Sequence, residues 1–151
     1  MSENQFACRF ADVDFISRLV EGKFPDYEQI IPKTGQTTAQ VAKEDFTKAI
    51  KGAALFSKTG VNDISLTFSG LSHTVQIQAA NVQLGQNTTT QSAKVEGEEV
   101  TITFNYRYVL DGLQHIAGTE VKCLLNGSMS PALFQSVTDD QFLYIVMPIK
   151  Q

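Results

Sequence analysis

The sequence predicts an α+β fold in which one β-α-β-β-β unit is written twice. Three observations point to it. A strand-period stretch leads into a one-faced helix across residues 37–56, the same order recurs across residues 100–117, and three alternating segments follow each helix. The repeat lies in the order of elements and not in residue identities, so duplication is inferred from pattern. Each helix is apolar on one face only, which calls for two helices on one side of antiparallel sheets.

In chain order, Phe6, Cys8 and Phe10 alternate, Ala11-Asp12 supplies a turn, and Val13, Phe15 and Leu19 continue beyond it. That is a hairpin over residues 5–20. A lone hairpin is not independently stable, so it reads as the last two strands of a unit that begins upstream. A connector follows, Lys23-Phe24-Pro25-Asp26-Tyr27 and then Ile30-Ile31-Pro32-Lys33. Its apolar density predicts that it lies against a surface. Residues 1–33 are therefore separated from a domain spanning 34–151.

The first strand of that domain spans 37–41 and the first helix 43–56. At ~100° per residue, Phe46, Ala49, Ile50 and Ala53 share one face, with Lys48, Lys51 and Leu55 opposite. Ile64, Leu66 and Phe68, then Val75 and Ile77, alternate as strands. The polar run 83–92 reads as a long loop or an edge strand, and the first copy ends near Val95. Val100, Ile102 and Phe104 open the second copy, and Asn105 is placed to cap its helix. Tyr106, Val109, Leu110, Leu113 and Ala117 form the buried face, and Arg107, Tyr108, Asp111, Gln114 and His115 point outward. Val121, Cys123 and Leu125 alternate next, and a last strand closes the unit over 142–147. Ser69-Gly70, Glu96-Gly97 and Asn126-Gly127 supply turns.

A chain of 151 residues holds one full domain and a short appendage. Its 42% hydrophobic and 19% charged residues describe an ordinary globular protein. No apolar run approaches the ~20 residues of a membrane helix, and Met-Ser-Glu-Asn-Gln lacks a signal-peptide pattern. Cys8 and Cys123 alternate with apolar neighbours and read as buried free thiols of a cytoplasmic protein. A net charge of −4 gives no general nucleic-acid signal, so such contact must rest on a basic surface assembled by the fold.

Catalytic chemistry is missing. His73 and His115 have no companion ligands at metal spacing. Each reads as a solvated histidine, the first on the polar side of a strand and the second on the polar face of a helix. There is no phosphate loop and no nucleophile elbow, and Asp139-Asp140 reads as a turn. No cofactor and no enzymatic activity are expected.

The connector and tail carry a resemblance. Leu19 to Tyr27 (Leu-Val-Glu-Gly-Lys-Phe-Pro-Asp-Tyr), ending Ile30-Ile31-Pro32-Lys33, resembles the stretch joining the middle and last domains of the bacterial sliding clamp, the beta subunit of DNA polymerase III. Phe104-Asn105-Tyr106-Arg107-Tyr108-Val109-Leu110-Asp111 is similar to that family's second helix in the last domain, and Tyr144-Ile145-Val146-Met147-Pro148-Ile149 to its C-terminus. The resemblance implies the DNA clamp fold, and a fragment: the last domain plus the closing hairpin of the middle one. It also implies a processivity factor that rings duplex DNA without reading bases and tethers polymerase III subunits, the clamp loader and other proteins with clamp-binding motifs. In full-length form the ring would be a homodimer.

Residue by residue, the resemblance implies a partner-peptide groove of Pro25, Gln29, Ile30, Asn105, Tyr108, Ile145, Met147, Pro148, Ile149, Lys150 and Gln151. Gln29 stands where relatives often carry a basic residue. A DNA-facing surface would use Lys48, Lys51 and Arg107, and a ring interface Leu55 and Phe56. The alternative function is a stand-alone protein-binding module of the same fold, unrelated to replication.

Overall fold

The computed structural model describes residues 4–24 and 26–150. Strands β1 (Gln5–Phe10) and β2 (Val13–Arg18) form an antiparallel hairpin, closed by a Leu19 N–H to Asn4 carbonyl bond of 2.9 Å. Its register puts Phe6, Cys8, Phe10, Val13 and Phe15 on one face, and Arg9, ion-paired with Asp14, on the other. Every residue of the hairpin is exposed, the apolar face included. Cys8 therefore departs from expectation: it alternates as a buried residue does, but among the described residues nothing covers that face.

The body contains β3 (Thr37–Ala42), α1 (Lys43–Ala54), β4 (Asp63–Ser69), β5 (Thr74–Asn81), β6 (Gly85–Ser92) and β7 (Lys94–Gly97). The order then repeats, without a counterpart to β7, as β8 (Val100–Asn105), α2 (Tyr106–His115), β9 (Glu120–Leu125), β10 (Ala132–Ser136) and β11 (Leu143–Val146). The polar run at 83–92 is a strand on the sheet edge, β6; after the buried Ala93 the chain continues as β7 in the other sheet.

The halves exchange their first strands. One sheet runs β11-β10-β9-β3-β7 and the other β6-β5-β4-β8. β3 of the first half thus pairs antiparallel with β9 of the second, and β8 of the second pairs with β4 of the first. The helix starts repeat the exchange. Lys43 N–H donates to the Thr119 carbonyl just before β9, and Tyr106 N–H to the Asn62 carbonyl just before β4, each at 2.8 Å. A helix leaves its first N–H groups without intrahelical partners, and here each half caps the other's helix. This exchange is structural support for the duplication that the order of elements suggests.

One core lies between helices and sheets. Phe46, Ile50 and Ala53 of α1 and Val109 and Leu113 of α2 are buried, together with the inward residues of both sheets. Phe104 on β8 meets Phe134 on β10 edge-on, ring centres 6.0 Å apart, joining the sheets by a contact of about 1 kcal/mol beyond simple burial. On the opposite face of the β4–β8 pair, Ser65 bonds Thr103 and Thr67 bonds Thr101 through their hydroxyls.

The helix boundaries are shorter than the sequence suggests. α1 stops at Ala54, and α2 stops at His115, leaving Ala117 exposed and Ile116 buried in its place. The residues after α2 turn towards β9 through Gly118, so the helical period that placed Ala117 inside no longer applies. His73 lies in the β4–β5 turn at φ +51° and not in a strand. Cys123 is fully buried in β9, and burial pushes its thiol pKa well up.

Two predictions follow from this packing. A thiol reagent added to the native protein should label one of its two cysteines, Cys8, with Cys123 reacting only on unfolding; prompt labelling of both would contradict the sealed core. Gly97, at φ +107°, has no room for a methyl group, which would sit 2.1 Å from the Gln36 carbonyl oxygen. Gly97→Ala should lower urea stability by on the order of 2 kcal/mol; a change within about 0.5 kcal/mol would show that the β3–β7 backbone can give.

Candidate functional site

The start of α2 and the chain's tail come together. Asn105 ends β8 and caps α2: its Oδ1 accepts the Arg107 N–H at 3.0 Å, and its Nδ2 donates to the Val61 carbonyl at 3.4 Å. A short polar side chain in extended backbone is what this position needs. One turn on, Tyr108 stands 57% exposed. β11 pairs with β10 with Ile145 opposite Leu133, so Val146 points into the core and Ile145 stays half-buried. Past the strand, the Ile149 N–H donates to the Thr103 carbonyl at 2.8 Å, two residues ahead of Asn105. That bond pins the tail beside the β8–α2 junction, with Met147 58% exposed and Pro148 and Ile149 half-buried. Lys150 is exposed.

The connector is not tied into this cluster. Gln29 sits in a single 3-10 turn (Tyr27–Gln29), and its Nε2 donates to Asp26 Oδ2 at 2.7 Å. Ile30 is exposed beside it. Among the described residues, no hydrogen bond, ion pair or ring contact joins Gln29 or Ile30 to α2 or the tail. Pro25 and Gln151 lie outside the described residues.

Sequence reasoning missed an aromatic floor between α2 and β11. The Tyr144 ring lies against Gly112, so closely that a Cβ there would come 2.2 Å from Tyr144 Cδ1. Phe142 stacks on Tyr144 with ring centres 6.5 Å apart, and His115 meets Phe142 at 6.4 Å. Burial pushes the Tyr144 phenol pKa up, with Asp111 and Tyr108 adding to the rise. A signal was present: glycine inside a helix costs roughly 1 kcal/mol against alanine, and Gly112 is buried mid-helix. What it makes room for is a residue more than thirty positions away.

Lys48 and Lys51 are exposed on α1 and Arg107 on α2. The helices run antiparallel, since the Lys43 Nζ at the start of α1 donates to the Ile116 carbonyl at the end of α2. Lys51 and Arg107 therefore sit towards the same end of the pair. The field is diluted: Lys48 is ion-paired with Glu44 at 2.6 Å, which holds that carboxyl below its ordinary range, and Arg107 lies over the Tyr106 ring. A concavity of about 750 Å³ opens between the helices, lined by Lys43, Lys48 and Lys51 but also by Glu44, Asp45 and Asp111. Its charges nearly cancel, so it is no anion pocket.

Leu55 caps α1 in helical backbone and is 72% exposed, and Phe56 beside it is half-buried against the core. α1 packs over β6, whose outer edge pairs with no strand among the described residues. Residues 82–93 carry no charge.

Two strand-exchanged β-α-β-β-β halves with paired helices on one side of their sheets define a DNA-clamp domain. The family model for the DNA polymerase III beta subunit, C-terminal domain, matches residues 28–150, and the chain belongs to this family, the bacterial beta sliding clamps. It is 28% identical to the beta sliding clamp of Bacillus subtilis over 151 residues, 99% of this chain and 40% of that protein. With that of Vibrio cholerae it shares 30% over 136 residues, covering 90% of this chain and 37% of the relative. The crystal structure of the DNA polymerase III subunit beta from Pseudomonas aeruginosa superposes with a TM-score of 0.86 at 28% identity, over all of this chain and 41% of that one. The chain spans about 40% of the length of these relatives.

Gly112→Ala should force the Tyr144 ring off α2. The expected outcome is a loss of roughly 1–3 kcal/mol in urea unfolding, with altered NMR shifts for Phe142 and His115. Unchanged shifts at those rings would mean that the floor does not depend on the missing methyl.

Proposed function

We propose that this chain is the last domain, with the closing hairpin of the domain before it, of a sliding clamp that rings duplex DNA and tethers its partners. It would act as a non-enzymatic scaffold in the bacterial cytoplasm. The observation that carries the reading is the Ile149 N–H bond to the Thr103 carbonyl, which ties the tail carrying exposed Met147 to β8, two residues before the cap of the helix that carries exposed Tyr108. Apolar walls with a few fixed polar groups suit the Leu and Phe side chains of short linear peptides.

The tail and α2 form one wall of that groove: Asn105, Tyr108, Ile145, Met147, Pro148, Ile149 and Lys150. Gln29 and Ile30, with Pro25, would complete it from the connector side, and Gln151 would extend the tail. The partners we assign are DNA polymerase III subunits, the clamp loader and other proteins with a clamp-binding motif. Lys48, Lys51 and Arg107 would face DNA. Weak, non-specific phosphate attraction suits a ring that must slide, and the local pairing of Lys48 and stacking of Arg107 keep it weak. Leu55 and Phe56, with the uncharged edge of β6, would meet the neighbouring protomer of a homodimeric ring by apolar contact and backbone pairing. The apolar face of the β1–β2 hairpin is that of a half-covered sheet, which supports its place in a preceding domain.

The test is an NMR titration of the chain with a peptide carrying a Leu-Phe clamp-binding motif. Shift changes should centre on Tyr108 and Met147, and Tyr108→Ala or Met147→Ala should each weaken binding by about tenfold. Absence of any shift at both residues would overturn the groove.

A further inference from the structure

The floor between α2 and β11 has a charge character of its own. Tyr108, Asp111, Gly112 and His115 follow one another along one side of α2, and Tyr144 and Phe142 lie beside them in and just before β11. Tyr108 is 57% exposed and Phe142 36%. Asp111 is exposed one turn on from Tyr108; its charge is felt by Tyr144 and by Arg107, but it forms no ion pair among the described residues. Its neighbour one turn back, Arg107, is turned onto the Tyr106 ring, where its Nε donates to the Tyr106 hydroxyl at 3.4 Å. Aromatic faces around an unpaired carboxylate attract a cation twice over, through the ring quadrupoles and through the charge. A guanidinium suits such a place better than an ammonium, because it is planar, weakly hydrated and stacks.

We propose that this strip is a second binding site continuous with the peptide groove, and that it takes an arginine flanking the apolar motif of the partner segment. This rests on the groove reading, since Tyr108 belongs to both. The partner is thus defined by chemistry: a linear segment with an apolar pair for the Met147 side, and a cation one to three positions from it to stack on exposed Tyr108 and pair with Asp111. Gly112 is the positioning residue. By letting Tyr144 approach α2 so closely, it holds that ring on the helix side that carries Asp111 and Tyr108.

The experiment measures affinities of labelled peptides for the full chain by fluorescence anisotropy. A Leu-Phe motif is flanked by Arg, Ala, Glu or Phe, with the flanking residue walked along both sides. At its best position the Arg peptide should bind about fivefold tighter than the Ala peptide, which is about 1 kcal/mol. That ratio should fall to about one in Asp111→Asn, and Asp111→Lys should instead favour the Glu peptide. Both variants differ at an exposed position, so folding is not at stake. Equal affinities of Arg and Ala peptides on the unaltered chain overturn the proposal while leaving the groove standing. So does an Arg preference that survives Asp111→Asn, or tightening by Phe in place of Arg, which would mark an apolar site. If no peptide of the series binds, the groove and this inference fall together.

Discussion

The structure depends on the exchange of first strands. β3 completes the sheet of the second half and β8 that of the first, and each helix start is capped by a carbonyl of the other half. Neither half therefore completes its sheet from its own strands, each helix start donates a hydrogen bond to the other half, and one core forms where two separate ones would otherwise be needed. The Phe104–Phe134 contact lies on that seam and ties β8 to β10. Each helix packs against strands of both sheets at once.

The same exchange builds the proposed groove. β8 runs into α2 at Asn105, and its neighbour Thr103 receives the tail. The tail follows from β11, at the far edge of the other sheet. A site at this junction draws on both sheets and one helix, so its walls are held by the core while Met147 and Tyr108 remain free to meet a partner. Under it, Tyr144 on Gly112 replaces a helix side chain with a ring, a close approach that only a residue without Cβ permits.

Electrostatics here are restrained. The cations on the helix face are partly committed to neighbours on the same helix, and β6 presents an edge without charge. Natural edge strands are usually blunted by lysine, proline or a bulge. β6 carries neither lysine nor proline, and the proposed ring interface would draw on that edge by backbone pairing more than by charge.

Much of this was legible in the residues. Period-two alternation in Ile64-Leu66-Phe68 and Val100-Ile102-Phe104, and the helical spacing of Phe46, Ile50 and Ala53, reflect local geometry: neighbours in sequence fix which side of a strand or helix each residue faces. Asn105 could be read as a cap for the same reason. Leu55 stood out as an apolar residue on a polar face, and the tail and connector motifs pointed to the family that the relatives show. Tertiary structure alone decided the rest. Strand exchange pairs residues some eighty positions apart, as with Ala39 and Cys123, and no local period records a partner at that distance. Cys8 alternates like a core residue yet lies bare, because burial depends on what covers a face and not on its pattern. The place of Gly112 under Tyr144 is set by a residue far along the chain, and so is the nearness of outward-facing Asp111 to that ring. Local sequence sets which way a side chain points; only the folded chain sets what it meets there.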